Sequence, residues 1–128
     1  MIVNIPVSLG ELIDKISILH IKKSKIKNKM KKKLVVDELK LLKKILKEIF
    51  ADQKNITNYL DRLIITNKKL WKIEDDIRQY EKQKKFNRAF IELARSVYVI
   101  NDERSKIKLE INKKFGSKIV EVKSYKDY

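Results

Sequence analysis

The sequence predicts an all-α fold, an antiparallel bundle of about four long helices with a small terminal β element. The 128 residues include two glycines and one proline, and Pro6, Gly10 and Gly116 all lie near the chain ends. Nothing between them interrupts long helices. Apolar residues also recur at helical spacing through four segments. At this length we expect a single domain over residues 1–128.

The first helix is predicted over residues 9–30, after an extended, β-prone entry over residues 1–7. Ser8 and Glu11 match a capping box, in which each side chain accepts a hydrogen bond from the backbone amide of the other. Gly10 lies inside that first turn, so we expect another chain segment or a ligand to approach the backbone closely there. The expected apolar stripe is Leu12, Ile16, Leu19, Ile26 and Met30.

The second helix is predicted over residues 34–50. A polar turn at 51–55 follows, and the third helix is predicted from there to about residue 82. No glycine or proline separates the first helix from the second, so their boundary stays open. The second helix carries lysines around one apolar seam, which is typical of a plain packing helix. The expected seam of the second helix is Val35, Leu39, Leu42, Leu46 and Ile49. The expected seam of the third helix is Ile56, Leu60, Leu63, Asn67, Leu70, Glu74 and Ile77.

The fourth helix is predicted over residues 87–115, and a strand-like segment follows it. Asn87 is the expected N-cap, Phe86 and Ile91 are the expected hydrophobic staple, and Gly116 is the expected C′ glycine. Residues 117–125 alternate as a strand does. Pairing of this segment with the N-terminal segment is the predicted β element, although a two-stranded ribbon would need the bundle beneath it.

Composition narrows the classes of function. The chain has no cysteine and a single histidine, His20, so disulfides are excluded, and thiolate or histidine metal sites are not expected. Charged residues break the N-terminal apolar run, and no segment approaches the length of a membrane span. We therefore expect a cytoplasmic protein without a metal or cofactor.

The formal net charge of +15 suits nucleic acid or an anionic membrane as a partner. Residues 22–33 contain eight lysines and no acidic residue. The same lysine excess, together with many isoleucines and asparagines, is also what an AT-rich coding sequence produces. Arginine is rare by comparison, so its five positions indicate a need for the planar, bidentate guanidinium.

Polar side chains interrupt the apolar faces of three predicted helices. Because a buried charge must be paired or must serve a ligand, we predict that these side chains meet at one internal site between helices 1, 3 and 4. The candidate ligand-binding residues are Lys15, Lys22, Asn67, Trp71, Glu74, Arg78, Arg95, Tyr98, Asn101, Asp102, Arg104 and Lys108.

Two interpretations of this site stay open. In the first it is a structural network in which carboxylates neutralise guanidinium groups. The acids would be Glu74 and Asp102, and the cations Arg78, Arg95 and Arg104. In the second it is a pocket with Trp71 and Tyr98 as stacking walls, and its excess of positive charge selects an anionic ligand.

Catalysis has little support in the sequence. The candidate faces carry no cysteine and no histidine, and the chain lacks a glycine-rich phosphate loop. Glu74 and Asp75 are adjacent, but neighbouring residues on a helix point about 100° apart and do not form a natural carboxylate pair. A helical mutase that holds a dianion among Arg and Lys is a minor alternative. We predict no catalytic residue and favour a binding protein over an enzyme, and whether any reaction is catalysed stays open.

A resemblance to a known family rests on four segments: PVSLGELIDKISIL, NKKLWKIEDDIRQYE, FIELARSVYVINDERSKIKLEIN and GSKIVEVKSY. They resemble a family of short bacterial and phage proteins of unknown function, which start like P-V-S-x-G-E-L-I-D-K-I and end like V-E-x-K-S-Y. The resemblance covers nearly the whole chain, except residues 22–66, where only the helical pattern is shared. Its motif positions are Ser8, Gly10, Glu11, Asp14, Lys15, Trp71, Glu74, Arg78, Arg95, Tyr98, Asn101, Asp102 and Arg104.

Members of that family occur alone, or beside or fused to glycosyltransferases of cell-surface polysaccharide synthesis. The resemblance implies no activity. The glycosyltransferase genes beside those of family members imply nucleotide-sugar or glycan-phosphate ligands by association. The phage members allow a role in sequestering a host nucleotide signal.

The leading hypothesis is therefore binding of a phosphorylated or anionic small molecule, such as a nucleotide, a nucleotide-sugar or a sugar phosphate. One alternative is binding of nucleic acid or an acidic protein through residues 22–33. Another is a structural accessory role beside glycosyltransferases, with a homodimer formed through the remaining apolar surface.

Overall fold

A computed structural model describes residues 1–50 and 54–128 of the chain. They form an all-α bundle of four packed helices, as predicted. The helices are α1 (Leu9–Lys25), α2 (Lys29–Ile49), α3 (Lys54–Lys82) and α4 (Arg88–Lys114). None of the helices in these two ranges has the length and hydropathy that crossing a bilayer requires.

The bundle is built around α1, which packs against each of the other three helices. From Gly10 to Ile21 it is buried around most of its circumference: Ile13 and Ile16 are fully enclosed, and Leu12, Leu19 and Ile21 are buried beside them. A helix buried on most sides belongs inside a fold. The core continues into α2 through Val35, Leu39 and Leu46 and into the longer helices through Ile56, Leu63, Ile107 and Ile111.

Hydrogen bonds fix the directions of the helices. From Gly10 to Asp14 along α1, the partners on α4 move from Asn112 back to Arg104, so α1 and α4 are antiparallel. Asn67 of α3 reaches the same level of α1. Since α3 and α4 form an antiparallel hairpin, α3 runs parallel to α1. The hairpin extends past the end of α1, and residues 68–106 include no buried residue.

The first two helices differ from the prediction at their junction. α1 ends at Lys25, and Asn28 begins α2 by accepting a hydrogen bond from the Lys31 amide at 3.0 Å. The predicted boundary missed this cap because an asparagine among lysines was not weighed as a helix start. As a result Met30 lies in the first turn of α2, exposed, and not on the stripe of α1.

Several predicted end signals are confirmed. Ser8 accepts from the Glu11 amide at 3.1 Å and Asn87 accepts from the Phe90 amide at 3.1 Å. Gly116 has φ +65°, the left-handed conformation that ends a helix. The polar turn predicted at 51–55 lies partly outside the described residues, and α3 begins at Lys54.

The side chains of Glu11 and Phe86, near the starts of α1 and α4, contact other partners than the predicted ones. The Glu11 carboxylate does not complete the capping box, because it binds Lys108 instead. The Phe86 ring makes an edge-to-face contact with Phe90 at 5.3 Å, where a staple with Ile91 was expected.

The predicted terminal β element is wrong. Residues 1–7 and 118–128 form no strand in the part of the chain that the structure describes. The two ends do meet, through a hydrogen bond from the Leu9 amide to the Ser117 hydroxyl at 3.2 Å. Two short segments gain little from pairing alone, and the C-terminal tail docks along α4 through its side chains instead.

Candidate functional site

A glycine lets the start of α1 lie directly on α4. A Cβ at Gly10 would come within 2.6 Å of the Lys108 carbonyl oxygen and 3.0 Å of the Asn112 side-chain oxygen. That oxygen accepts a hydrogen bond from the Gly10 amide at 2.7 Å. This satisfies one of the amides that a helix start leaves without an internal partner. The close approach predicted from Gly10 is therefore made by the chain itself.

Asp14 is the centre of a buried polar network one turn further along α1. Its side chain is fully enclosed and accepts two hydrogen bonds from Arg104, one of them from Nε to Oδ1 at 3.0 Å. The Asn67 amide donates to Asp14 Oδ1 at 2.9 Å and to the Ser17 hydroxyl oxygen at 2.8 Å. The Ser17 hydroxyl donates to the Asp14 backbone carbonyl. This network joins α1, α3 and α4 and satisfies the buried carboxylate.

The pairing fixes the charge state of Arg104. Its hydrogen bonds to Asp14 raise the pKa of the guanidinium above its usual range, against the opposing effect of partial burial. Nη1 of Arg104 has no hydrogen-bond partner among residues 1–50 and 54–128, so the side chain keeps one donor group for a further contact.

Lys108 is buried and holds two carboxylates. Its ammonium lies 2.8 Å from Glu11 of α1 and 2.8 Å from Glu121 of the C-terminal tail. Burial acts to lower the pKa of Lys108, but the hydrogen bonds to these two carboxylates outweigh it and the pKa is raised. The bond to Lys108 in turn lowers the pKa of Glu121. Lys108 thus ties the tail to the bundle.

The tail and α4 enclose a cleft of about 710 Å³, which we call the tyrosine cleft. Tyr98 and Tyr128 meet edge to face at 4.9 Å, and a hydrogen bond to Asp102 raises the pKa of Tyr128. Arg104 and Lys108 form the floor. The lining residues are Glu11, Val97, Tyr98, Asn101, Asp102, Arg104, Ser105, Lys108, Glu121, Lys123, Tyr125, Lys126 and Tyr128.

Most charges in the tyrosine cleft are already paired. Arg104 forms a salt bridge with the buried Asp14, and Lys108 forms salt bridges with Glu11 and Glu121. The Lys123 ammonium also lies 3.1 Å from a Glu121 carboxylate oxygen. Lys126 has no carboxylate partner within the described ranges. Lys126 is therefore the cation most open to an incoming anion.

A second cleft of about 620 Å³ lies between α1, α3 and α4, and we call it the tryptophan cleft. Asn101 and Arg104 line both clefts, so these two side chains lie between them. The tryptophan cleft is lined by Ile18, Ile21, Asn67, Leu70, Trp71, Glu74, Asp75, Arg78, Asn101 and Arg104.

The structure divides the predicted site residues between these two places and leaves three outside both. Six line the tryptophan cleft: Asn67, Trp71, Glu74, Arg78, Asn101 and Arg104. Five line the tyrosine cleft, two of them shared: Tyr98, Asn101, Asp102, Arg104 and Lys108. Lys15 is exposed and lies 3.5 Å from Glu38, and Lys22 is half-buried. Arg95 is exposed, and contacts with Tyr98 and then Glu92 raise its pKa.

The predicted partners within the network were mostly wrong. Glu74 does lie 3.6 Å from Arg78, but on the surface of α3. Arg104 pairs with Asp14 and Arg95 with Glu92, so Asp102 neutralises neither of them. The alternation along α4 placed Arg95 and Arg104 on polar ridges, but only Arg104 lines a cleft. The alternation carried no information about which helix would face either arginine.

The candidate ligand-binding set left out residues on α1 and on the tail, although Gly10 and Asp14 were among the family motif positions. Gly10, Asp14, Ser17 and Ile21 recur at helical spacing and form a second buried ridge of α1. That ridge was available in the sequence, but its polar members were not counted as buried. The tail residues Lys123, Tyr125, Lys126 and Tyr128 were overlooked because residues 117–125 were assigned to a strand. No cluster of three or more acidic or histidine side chains that could hold a metal ion occurs in the described chain.

Comparison with known proteins matches the chain to one family model. A family model described as "Family of unknown function (DUF6165)" matches residues 1–128, the full length. Comparison with curated proteins and with solved structures gave no significant match.

Proposed function

The chain belongs to the family of unknown function DUF6165, and we propose that it binds a small phosphorylated ring compound in the tyrosine cleft. The class includes nucleotides, nucleotide-sugars and sugar phosphates. The observation that carries the proposal is the meeting of three tyrosines with the tail lysines in one cleft: Tyr98, Tyr125 and Tyr128 with Lys123 and Lys126.

The cleft has the size and chemistry for such a ligand. Its volume of about 710 Å³ lies within the usual range for small-molecule sites, roughly 300–1,000 Å³. Tyrosine rings stack on nucleobases and on the apolar faces of sugars, and their hydroxyls remain able to hydrogen-bond. Asp102 can accept hydrogen bonds from sugar hydroxyls, and the exposed ammonium of Lys126 can bind a phosphate oxygen.

The buried network supports the site from below. Two hydrogen bonds to Asp14 hold the Arg104 guanidinium in one orientation, which leaves Nη1 as a positioned donor. Side chains held by such underlying bonds bind a ligand without losing further conformational freedom. Similarity to proteins encoded beside, or fused to, glycosyltransferases favours the nucleotide-sugars and sugar phosphates within the class.

A thermal-shift screen followed by calorimetric titration tests the proposal. The panel contains nucleoside mono- and diphosphates, nucleotide-sugars, sugar phosphates and inorganic phosphate. We expect at least one ring-bearing phosphate to raise the melting temperature and inorganic phosphate alone to have little effect. If no compound in the panel binds, the proposal fails.

Matched variants locate the site. Tyr98→Ala is expected to weaken binding about three- to tenfold, the equivalent of one lost aromatic contact, and Lys126→Ala should weaken it further for the more highly phosphorylated ligands. Trp71→Ala and Arg78→Ala are the controls, because both lie in the tryptophan cleft and Arg78 is exposed. Loss of binding in the control variants, with the tyrosine-cleft variants unaffected, would place the ligand in the tryptophan cleft and overturn the proposal.

A further inference from the structure

The end of the bundle that carries the α1–α2 junction and the tip of the α3–α4 hairpin combines basic and apolar surface. We propose that this basic end, residues 22–33 and 82–91, docks on an anionic lipid surface. The inference is separate from ligand binding in the tyrosine cleft, because no residue of these two segments lines that cleft.

The two segments lie at the same end of the molecule. α1 and α3 run in the same direction, and Asp14 and Asn67 are at the same level. From that level α1 continues to Lys25 and α3 to Lys82, so the hairpin extends about 6 Å farther at 1.5 Å per residue. The junction of α1 with α2 and the tip of the α3–α4 hairpin therefore face the same side.

Positive charge at the basic end is dense and mostly unpaired. Residues 22–33 hold eight lysines, residues 82–91 hold Lys82, Lys84, Lys85 and Arg88, and neither segment contains an acidic residue. Lys33 pairs with Asp37 and Lys84 with Glu81. The remaining cations of the two segments have no carboxylate within 4.0 Å in the described structure. Near a membrane that contains anionic lipids, each such cation contributes about 1 kcal/mol of attraction.

Large apolar side chains are exposed among these cations. Met30 is 82% exposed and Leu34 72%, and the two lie one turn apart on α2. At the hairpin tip Phe86 is 55% exposed and Ile91 52%. Exposed residues of this kind have no role in solubility, and on a surface rimmed by lysines they indicate contact with a partner that is both anionic and apolar.

An anionic membrane fits this combination better than nucleic acid does. Phosphate groups of nucleic acid would account for the lysines but not for Met30, Leu34 and Ile91, since aliphatic side chains gain little on a duplex or a strand. At a membrane the aliphatic and aromatic groups enter the interface while the lysines remain among the headgroups. Apolar anchoring and charge act together in that arrangement.

Vesicle co-sedimentation with the full chain tests the inference. The probes are vesicles of phosphatidylcholine alone and of phosphatidylcholine with phosphatidylserine, at about 0.15 M salt, where charges farther apart than about 8 Å are screened. We expect binding to the mixed vesicles only, decreasing as salt rises. Equal binding to neutral vesicles, or no binding to either, would overturn the inference.

Variants separate specific docking from general charge. The variant Lys82→Gln/Lys84→Gln/Lys85→Gln/Arg88→Gln should lower partitioning at least tenfold. Its control removes four exposed lysines from α2 outside the basic end, with Lys40, Lys43, Lys44 and Lys47 each changed to Gln, and should retain most of the binding. An equal loss in the control would reduce the effect to net charge and refute the inference.

The apolar residues decide between a membrane and nucleic acid. Met30→Ser/Leu34→Ser and Phe86→Ser/Ile91→Ser keep the charge, and each is expected to lower vesicle partitioning several-fold. Single- and double-stranded oligonucleotides are measured at the same salt. Oligonucleotide binding that is tighter than vesicle binding, with the serine variants unchanged in both assays, would assign the basic end to nucleic acid and contradict the proposal.

Discussion

The two halves of the α3–α4 hairpin have similar apolar spacing and very different surroundings. The proximal half, residues 54–67 and 104–115, packs on α1 and contains every buried residue of the two helices. The distal half, residues 68–103, has none. Both halves show apolar residues at helical spacing. Spacing predicts which face of a helix turns toward its neighbour, but full burial requires close packing against a third element. Beside the distal half the tryptophan cleft lies between α1 and the hairpin, and the tip of the hairpin extends past the end of α1.

Polar residues behave differently in the two halves as a consequence. In the proximal half Asn67, Lys108 and Asn112 are buried, and each bonds to a residue of α1. In the distal half Glu74, Arg78 and Arg95 are exposed and pair with neighbours on their own helix. Such surface pairs contribute little to stability. The proximal polar residues therefore hold the helices together, and Lys108 also lines the tyrosine cleft, whereas the distal ones contribute little to the fold.

The largest effect is expected from breaking the network that defines the proximal half. Asp14→Ala leaves Arg104 and Asn67 without their acceptor, and removing one member of a buried ion pair costs about 3–5 kcal/mol. Urea unfolding measures the loss. Glu74→Ala removes the exposed pair with Arg78 and should cost less than about 1 kcal/mol.

A double variant sharpens this result. Replacing both charges, as in Asp14→Leu/Arg104→Met, should restore much of the stability, since apolar groups of similar volume often match a buried ion pair. Recovery would show that the pair stabilises the fold no better than apolar packing would. That outcome would favour a role for Arg104 in binding, whereas a double variant as unstable as Asp14→Ala would contradict the assignment of the cost to the unpaired cation.

The same contrast can be measured with one kind of side chain. Leu63 is fully enclosed in the proximal half and Leu93 is half-buried in the distal half. Leu63→Ala should cost about 2–5 kcal/mol, because it leaves a cavity that its neighbours cannot fill. Leu93→Ala should cost about 1 kcal/mol, since solvent reaches the vacated space. Similar losses at both positions would mean that the distal half is packed as firmly as the proximal half.

The sequence predicted much of this fold for reasons that are local. The helix-end residues make their contacts within a few positions along the chain, so their roles can be predicted from the sequence alone. These residues are Ser8, Asn87 and Gly116. Gly10 also signalled a close approach, because a glycine inside a first turn has few other uses.

The residues that the prediction overlooked depend on contacts between distant parts of the chain. Asp14 bonds across the bundle to Arg104, and Glu121 bonds from the tail to Lys108. Neither pairing has a sequence pattern of its own. The tail was assigned to a strand because it alternates, yet its alternation places Glu121, Lys123 and Tyr125 along a cleft. Period alone does not distinguish a strand from an extended segment that docks on a helix.

Glycine substitutions test how closely α1 must approach the proximal half. Gly10→Ala would place a methyl group 2.6 Å from the Lys108 carbonyl oxygen, so α1 and α4 must separate, at a cost of about 1–3 kcal/mol. Gly116→Ala meets no atom within 4 Å and suffers only from its positive φ, at about 1 kcal/mol. Thermal unfolding of both variants makes the comparison. A Gly10→Ala protein of full stability would contradict close packing at this contact.

The smallest expected effect concerns the tail, which crosses from one half to the other. Glu121 binds Lys108 in the proximal half and Tyr128 contacts Tyr98 in the distal half. Because the bond to Lys108 lowers the pKa of Glu121 below its ordinary value of 4.5, its contribution is complete above pH 4.5. It is lost as the pH falls through the lowered pKa in the folded state. Since the side chain is partly exposed, this contribution should stay below about 1 kcal/mol.

Two carboxylates with the same direction of pKa shift allow that effect to be assigned to the tail. Arg62 lowers the pKa of Glu110, but this salt bridge joins α4 to α3 and not to the tail. Both Glu121→Gln and Glu110→Gln should reduce stability slightly at neutral pH and lose that difference in acid. Only Glu121→Gln should speed limited tryptic cleavage within residues 118–128, and with it weaken ligand binding in the tyrosine cleft. Equal cleavage rates in the two variants would mean that Lys108 does not hold the tail, and the cleft would then depend on the tyrosine contacts alone.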